Sequence, residues 1–401
     1  MAVQKAARKI TFTPYVWRDP KTIPRRSWLY GKHYIRKFIS ATLAAGGLGK
    51  SSLDLVEAIA MATGRALLGV PVPNRVRVAY WNGEDPADEI ERRIAAILLH
   101  FKIPREEIEG RLCVDSGRNL PIHIASIEKG GIVFPDADAL TRELIERKID
   151  VLILDPFVRT HGVPENDNAA IDRVAQTFAE IADEANCAIE LTHHVRKASN
   201  FGRAEVTADD GRGAGSLKDA ARCVRVMNVM AAAEAPAAQV KEKDRKSYFR
   251  VDDGGKANMT APTESATWFR LISVHLYNDP ADPNAFGDSI GVVTSWKLPG
   301  IFAGNPPDAL ARIQAKIDSG DWGKDPRSGD WAGKAIAAVL DIDLSDEVQK
   351  ERCKGMLEAW LQSKALKVLR KPSQTTRGRD RDAVVVGNRV EGAAAQDGLD
   401  F

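Results

Sequence analysis

Through its first two-thirds the chain alternates short apolar runs with longer segments whose apolar residues recur every three or four positions. FISATL at 38–43, the run ending in VAYW at 76–81, RLCVDSG, IDVLILD and CAIELTHH read as strands. The segments between them read as amphipathic helices. PADEIERRIAAILLHF puts Ile90, Ile94, Ile97 and Leu98 on one face, and NAAIDRVAQTFAEIADEAN aligns Ile171, Val174, Phe178 and Ile181. ADALTRELIERK is a further helix. A run as uniformly apolar as VLIL suits a strand covered on both faces, which is the situation in a parallel sheet flanked by helices. The expected fold class is therefore α/β, a mostly parallel central sheet between layers of helix.

The pattern then changes twice. AARCVRVMNVM, KSYFRVDD, TWFRLISVHL and SIGVVTSW read as later strands of antiparallel character, with AAAEAPAAQVKEKDRK as an exposed connection between two of them. Near Gly300 a Gly/Pro stretch, GIFAGNPP, opens a helical region with three helices: DALARIQAKIDSG, DWAGKAIAAVLDI and SDEVQKERCKGMLEAWLQSK. Two strands around a basic turn follow, KALKVLRKPSQTTRGRDRDAVVVGN. Helices capped by a hairpin suggest a winged helix. The expected organisation is an arm at 1–27, a core at 28–299, a linker at 300–308, a winged-helix-like domain at 309–390 and a disordered tail at 391–401. No internal repeat is visible.

Composition narrows the function classes. With 401 residues the chain can bury one large core and a smaller one. A formal charge of +2 gives no global attraction to nucleic acid, so any basic surface must be local. The four cysteines are scattered without a CxxC pair, which fits buried thiols in a reducing compartment rather than a disulfide frame or zinc site. The basic N-terminus lacks the apolar core of a signal peptide, and no stretch is apolar enough to span a membrane. A cytoplasmic protein is expected.

The clearest chemistry is in FISATLAAGGLGKSSLDLVEAIAMATG. A strand enters a Gly-rich turn that closes on Gly49-Lys50-Ser51 and opens a helix, the context of a phosphate-binding loop. Ala44 stands where the first glycine usually stands. Gly46, Gly47, Leu48 and Gly49 bring backbone N–H groups toward a triphosphate. Lys50 reaches its outer phosphates, Ser51 holds Mg²⁺, and Ser52 completes the first turn. Asp155, at the end of VLILD, suits holding Mg²⁺; the plain alternative is an Asp opening a turn before Pro156. Glu84 follows the strand VAYWNG and is the candidate general base. Asp85 beside it, before Pro86, is expected to cap the next helix. His193 and His194 end another strand, and His194 is favoured to sense the outermost phosphate. The long polar loop after them carries Arg196, Lys197 and Arg203, which can touch a phosphate backbone. Arg212 and Lys256 can reach a neighbouring subunit's nucleotide. Each of these basic residues can equally be a solvated side chain. One residue of Glu165, Asn166, Asp167 and Asn168 caps the following helix.

The blocks AAGGLGKSS, WNGED, LILDPFVRTHGVPENDNAAID, LTHHVRK, GRGAGSLKDAARCVRV and KAN occur in that order. Together they resemble the RecA-like ATPases of the plasmid RepA-type hexameric helicase group. The resemblance runs from about 28 to 296. It implies a RecA-like core with ATP and Mg²⁺ held between subunits of a ring. Lys50 and Ser51 then match the phosphate loop, Glu84 the catalytic glutamate, Asp155 the Mg²⁺-associated aspartate and His194 the sensor. Arg212, Arg222 and Lys256 all fall in plausible blocks for the finger contributed by a neighbouring subunit, although Arg222, beside an apolar strand, can instead be a structural salt-bridge residue. The implied function is ATP-driven translocation on single-stranded DNA by a homo-hexamer, as a replicative helicase. One rival is an accessory ATPase that assembles on DNA without unwinding it. Another is a small-molecule kinase, against which the long polar loops argue. In the C-terminal region Arg370, Arg377 and Arg379 are candidate DNA contacts.

Overall fold

The structure is a computed structural model and describes residues 11–129, 131–195, 205–207, 214–236, 238–257, 259, 266–282, 285–372 and 380–389. A two-stranded pair, β1 (Trp28–Tyr30) and β2 (Tyr34–Ile35), precedes β3 (Ile39–Ala44), all six of whose residues are buried. Then come α1 (Lys50–Thr63), β4 (Val78–Asn82), α2 (Ala87–Phe101), β5 (Leu112–Ser116) and a small hairpin of β6 (Ser126–Glu128) and β7 (Gly131–Val133). They lead to α3 (Ala137–Glu146), β8 (Val151–Asp155), α4 (Asn168–Glu184), β9 (Ala188–His194), α5 (Ala214–Ala220) and β10 (Cys223–Val229). The antiparallel strands β11 (Tyr248–Ala257), β12 (Thr267–His275) and β13 (Ser289–Ser295) complete this part.

The principal sheet has nine strands in the order β13-β12-β11-β10-β3-β9-β8-β4-β5. From β10 to β5 every pairing is parallel, and from β10 to β13 every pairing is antiparallel. The parallel part is covered on both faces, as its apolar runs require. Residues of α1 and α2 share one apolar cluster with Val78, Tyr80, Val151 and Ile153, and residues of α3, α4 and α5 share the other with Ile39, Leu152 and Leu191. The antiparallel strands curl back over α1. Ser52 Oγ donates to the Gly291 carbonyl (3.0 Å) and accepts from the Val293 N–H (3.1 Å), so the far edge of the sheet meets the start of α1. Of α1 only Ser51 escapes full burial.

Local expectations met different fates. Asp167 caps α4, its carboxylate accepting from the Ala170 N–H at 3.1 Å. Asp85 does not cap α2. Pro86 occupies the cap position without a side-chain bond, and Asp85 pairs with Arg93 at 2.9 Å. The connection AAAEAPAAQVKEKDRK is not simply exposed. Ala235, Ala238 and Val240 are buried with Met230 and Tyr248, because Glu234 turns inward to bind Arg250 (2.7 Å) and draws the Ala-rich turn onto the sheet.

Beyond Gly300 the elements are α6 (Ala309–Asp318), β14 (Trp322–Gly323), α7 (Ala332–Leu340), α8 (Glu347–Gln362), β15 (Leu366–Pro372) and β16 (Asp380–Val386). The strands form their own sheet in the order β14-β16-β15. They enclose a separate apolar core with Trp331, Ile336, Met356 and Trp360 at its centre. The expected linker belongs to this unit at its start: Phe302 stacks on Trp360 at 5.2 Å, and Arg352 binds the Ile301 carbonyl at 3.2 Å.

Candidate active site

The loop from β3 to α1 turns on two glycines in the left-handed region, Gly47 (φ 79°) and Gly49 (φ 85°). A β-carbon at Gly46 or Gly47 would meet no atom within 4 Å, so the loop has open space beside it where a phosphate can approach. Gly49 has less room: its missing β-carbon would lie 3.4 Å from Leu271 Cδ1. α1 begins at Lys50 and aims its N-terminal N–H groups into this space.

Parallel strands bring the other candidates to the same edge. β3, β4, β8 and β9 all run the same way, and Glu84, Asp155 and His194 sit at or just past the C-terminal ends of β4, β8 and β9. Lys50 folds back, its Nζ lying 2.9 Å from His194 Nδ1 and 3.3 Å from the Ala45 carbonyl. An ammonium has only donors, so His194 Nδ1 accepts and its proton sits on Nε2. That nitrogen faces Glu84 Oε2 at 3.9 Å. Partial burial and the charge of Lys50 pull the His194 pKa down, against the opposing pull of Glu84 and Asp155, which keeps the ring neutral at neutral pH. Burial lowers the Lys50 pKa as well, and Asp155, Asp54 and Glu84 counter it.

Two neighbours hold the carboxylates in place. Asn82 Oδ1 accepts from the N–H groups of Glu84 (2.9 Å) and Asp85 (2.7 Å), fixing the turn that carries Glu84. The amide nitrogen of Asn82 and the hydroxyl of Tyr80 donate to Asp155 Oδ2 at 3.2 and 3.1 Å. Glu84 remains 44% exposed, and Arg159 Nε stands 3.7 Å from its Oε1. Arg118 clamps the Glu84 carbonyl at 3.0 and 3.1 Å. The cleft between these groups holds about 420 Å³, and Leu271, Ser289 and Gly291 form its opposite wall. Among the described residues no three His, Cys, Asp or Glu side chains cluster as a metal site. The residues present nevertheless fit a nucleotide with Mg²⁺: the open loop, Lys50 and Ser51 line the cleft, and the buried Asp155 behind them has one carboxylate oxygen held by two donors. A divalent ion there would be held by Ser51 and Asp155 and would draw on phosphate and water for its remaining ligands.

Beneath the loop lies a charged network that the sequence did not reveal. Arg225 forms a two-pronged pair with Glu57 (both 2.7 Å), Tyr34 donates to Glu57 at 2.7 Å, and Thr192 donates to Asp54 at 2.8 Å. His33 meets Glu190 at 2.8 Å, and Ser40 and Thr42 also donate to Glu190. Burial, reinforced by Asp155 and Glu190, pushes the Asp54 carboxyl well above the usual range.

Lys50, Ser51, Ser52, Glu84, Asp155 and His194 are thus brought together, while His193 is buried edge-on to Phe157. Lys256 pairs in register with Val224, and Val224 with Ala41, so its backbone lies level with the middle of β3. Arg222 lies at the edge of the sheet away from the phosphate loop, its N–H bonded to the Ile39 carbonyl and its guanidinium over the Phe38 ring. Arg196, Lys197, Arg203, Arg212, Arg377 and Arg379 lie outside the described residues. Arg370 is exposed on β15. Asn82, Tyr80, Arg159 and Arg118 were missed; only the asparagine at a strand end before Gly83 offered a signal. Leu271, Ser289 and Gly291 offered none.

An AAA domain family model matches residues 6–200, the stretch that contains the phosphate loop, β4, β8 and β9. The match supports a P-loop ATPase domain over that stretch. Among solved structures the chain is similar to the crystal structure of the RadB recombinase, with a TM-score of 0.38 and 12% identity over 60% of this chain and 89% of that one. Among the described residues no helix is long and apolar enough to cross a membrane.

Proposed function

We propose that this chain is a RecA-like ATPase that hydrolyses ATP to move along single-stranded DNA, as a ring of the RepA-type helicase group. The observation that carries the reading is the meeting of Lys50, Glu84 and His194 in one cleft, with Asp155 buried behind them. Lys50 and the N–H groups of the loop bind the triphosphate. Ser51 and Asp155 would hold Mg²⁺, whose charge would offset that of the outer phosphates. Glu84 accepts the proton of the attacking water. His194, neutral and linked to both Lys50 and Glu84, registers whether the outermost phosphate is present.

A finger from the next subunit completes the site, with Arg212 first, then Lys256, then Arg222. Arg222 lies at the sheet edge away from the phosphate loop, which fits contribution to another chain's site. Such a finger is worth on the order of 10³–10⁵ in rate, so an isolated subunit hydrolyses ATP slowly. DNA contacts fall on the loops after Asp155 and His194. In the C-terminal unit the order helix, strand, two helices, two strands supports a winged helix whose hairpin presents Arg370 to phosphates.

The test is ATP hydrolysis by the full chain with and without single-stranded DNA, together with strand displacement. Stimulation by DNA, abolished in Lys50→Ala and restored by mixing Lys50→Ala with Arg212→Ala, is expected. Stimulation without displacement assigns the chain to accessory ATPases. Wild-type hydrolysis in Lys50→Ala sinks the reading altogether.

A further inference from the structure

The wall of the cleft opposite Glu84 does not end at Gly291. Along β12 and β13 the pairs Leu271↔Val293, Ser273↔Gly291 and His275↔Ser289 share one face, since side chains two apart in a strand point the same way. Leu271 and Val293 are the atoms nearest the missing β-carbon of Gly49. Four residues farther on, about 13 Å at strand rise, that face reaches His275. Ser289, which lines the cleft, fixes the His275 ring through a 2.6 Å hydrogen bond between its hydroxyl and Nδ1. Phe286 stacks on this ring at 4.4 Å and 22°, and Tyr277 stands edge-on to Phe286 at 5.9 Å.

Three aromatic rings therefore gather at the mouth of the phosphate cleft. Tyr277 is 55% exposed and Phe286 60%. Rings buried in a core stabilise a fold; rings held in an ordered stack yet open to water do so poorly. The strand rise of about 13 Å from Leu271, beside the phosphate loop, to His275 is on the order of the reach of an extended nucleotide from its triphosphate to its base.

We infer that His275, Tyr277 and Phe286 form the nucleobase subsite of this cleft, the base stacking on the open face of the Phe286 ring. The inference rests on the nucleotide reading of the phosphate loop and adds to it the residues that take the base. Stacking accepts any base and strengthens with ring area, so purine nucleotides bind more tightly than pyrimidine nucleotides.

Calorimetric titration of the full chain with ATP, UTP and inorganic tripolyphosphate, each with Mg²⁺, tests it. Phe286→Ala and Tyr277→Ala should weaken ATP about tenfold or more, the loss of one aromatic stack, while tripolyphosphate is unaffected. The preference for ATP over UTP should collapse in both variants and survive in Phe286→Tyr. Unchanged ATP affinity in both alanine variants overturns the inference. So does an equal loss for ATP and tripolyphosphate, which would mean that the hairpin supports the cleft as a whole. Loss of oligonucleotide binding alone would hand the rings to a single strand instead. Wild-type protein that binds neither ATP nor tripolyphosphate would instead refute the phosphate-loop reading, and the subsite with it.

Discussion

At the residue scale, the roles of two adjacent carboxylates separate by their partners. Asp85 is tied to Arg93, whereas Glu84 keeps its carboxylate toward the cleft, beside His194 and Arg159. Glu84→Gln should therefore bind ATP normally and hydrolyse it about 10²–10⁴-fold more slowly, the range for loss of a positioned base. A single-turnover assay decides it: a crippled Asp85→Asn beside an active Glu84→Gln would reverse the assignment. Glu190 gives a pH prediction. Burial by itself would raise its pKa, but the charge and hydrogen bond of His33, with Arg225 and Ser40, outweigh burial and hold it at about 2 against an ordinary 4.5. The folded carboxyl is thus the stronger acid. Its contribution to stability is complete above about pH 4.5 and is lost as pH falls toward 2. Denaturant midpoints across that window should fall steeply in wild type and less steeply in Glu190→Gln; parallel slopes would show that Glu190 is not the group responsible.

At the element scale, the phosphate loop works through what is missing from it. Gly46 is not in the left-handed region, and a β-carbon there would touch nothing, so the fold itself does not need glycine at this position. Gly46→Ala should melt like wild type and yet bind ATP at least severalfold more weakly, because the methyl group occupies the space a phosphate needs. Unchanged affinity in a titration would mean that the anion sits elsewhere. The opposite wall is also an element-scale matter. β13 lies at the far edge of the sheet from β5, yet it reaches α1 because the antiparallel strands twist and coil over the helix.

At the scale of the whole molecule, the described residues pack around the nine-stranded sheet and, beyond Gly300, into a separate smaller core, and the basic C-terminal residues are not equivalent. Arg381 is held by Asp321 at 2.7 Å and by Asp330, and Lys371 by Asp321 at 3.4 Å, so both serve the internal structure of the unit. Lys364, Lys367 and Arg370 are exposed. α8 mixes Glu347, Glu351 and Glu358 with Lys350, Arg352 and Lys354, so positive charge available to phosphates concentrates on the hairpin rather than the helix before it. A chain cut before Gly300 should retain basal ATP hydrolysis, bind DNA more weakly and show a flatter salt dependence, by about one unit of slope for each phosphate no longer neutralised. Equal affinity and slope in the truncated chain would leave DNA to the core alone and give the C-terminal unit to a protein partner. The cut must precede Ile301, since Ile301 and Phe302 pack into the smaller core.

The phosphate loop, Glu84, Asp155 and His194 were legible because a parallel sheet delivers every strand end to one edge, so position along each run already implied position in space. That one residue among Glu165, Asn166, Asp167 and Asn168 caps α4 was legible for a similar reason, the bond joining residues three apart, but that Asp167 supplies it was not. Long-range pairing was not legible. His33 meets Glu190 across 157 positions and Ser52 meets Gly291 across 239, and no local pattern encodes such partners. Asp85 departs from the capping role that its place before Pro86 suggests because Arg93, two turns along α2, offers its carboxylate a charged partner. Local periodicity and turn chemistry determined the longer elements and which ends carry chemistry, but not the short pieces β1, β2, β6, β7, β14 and α5, the last of which falls in a stretch that reads as a loop. Only the curl of the sheet decided that β12 and β13 would close the cleft, and with it which aromatic rings stand at its mouth.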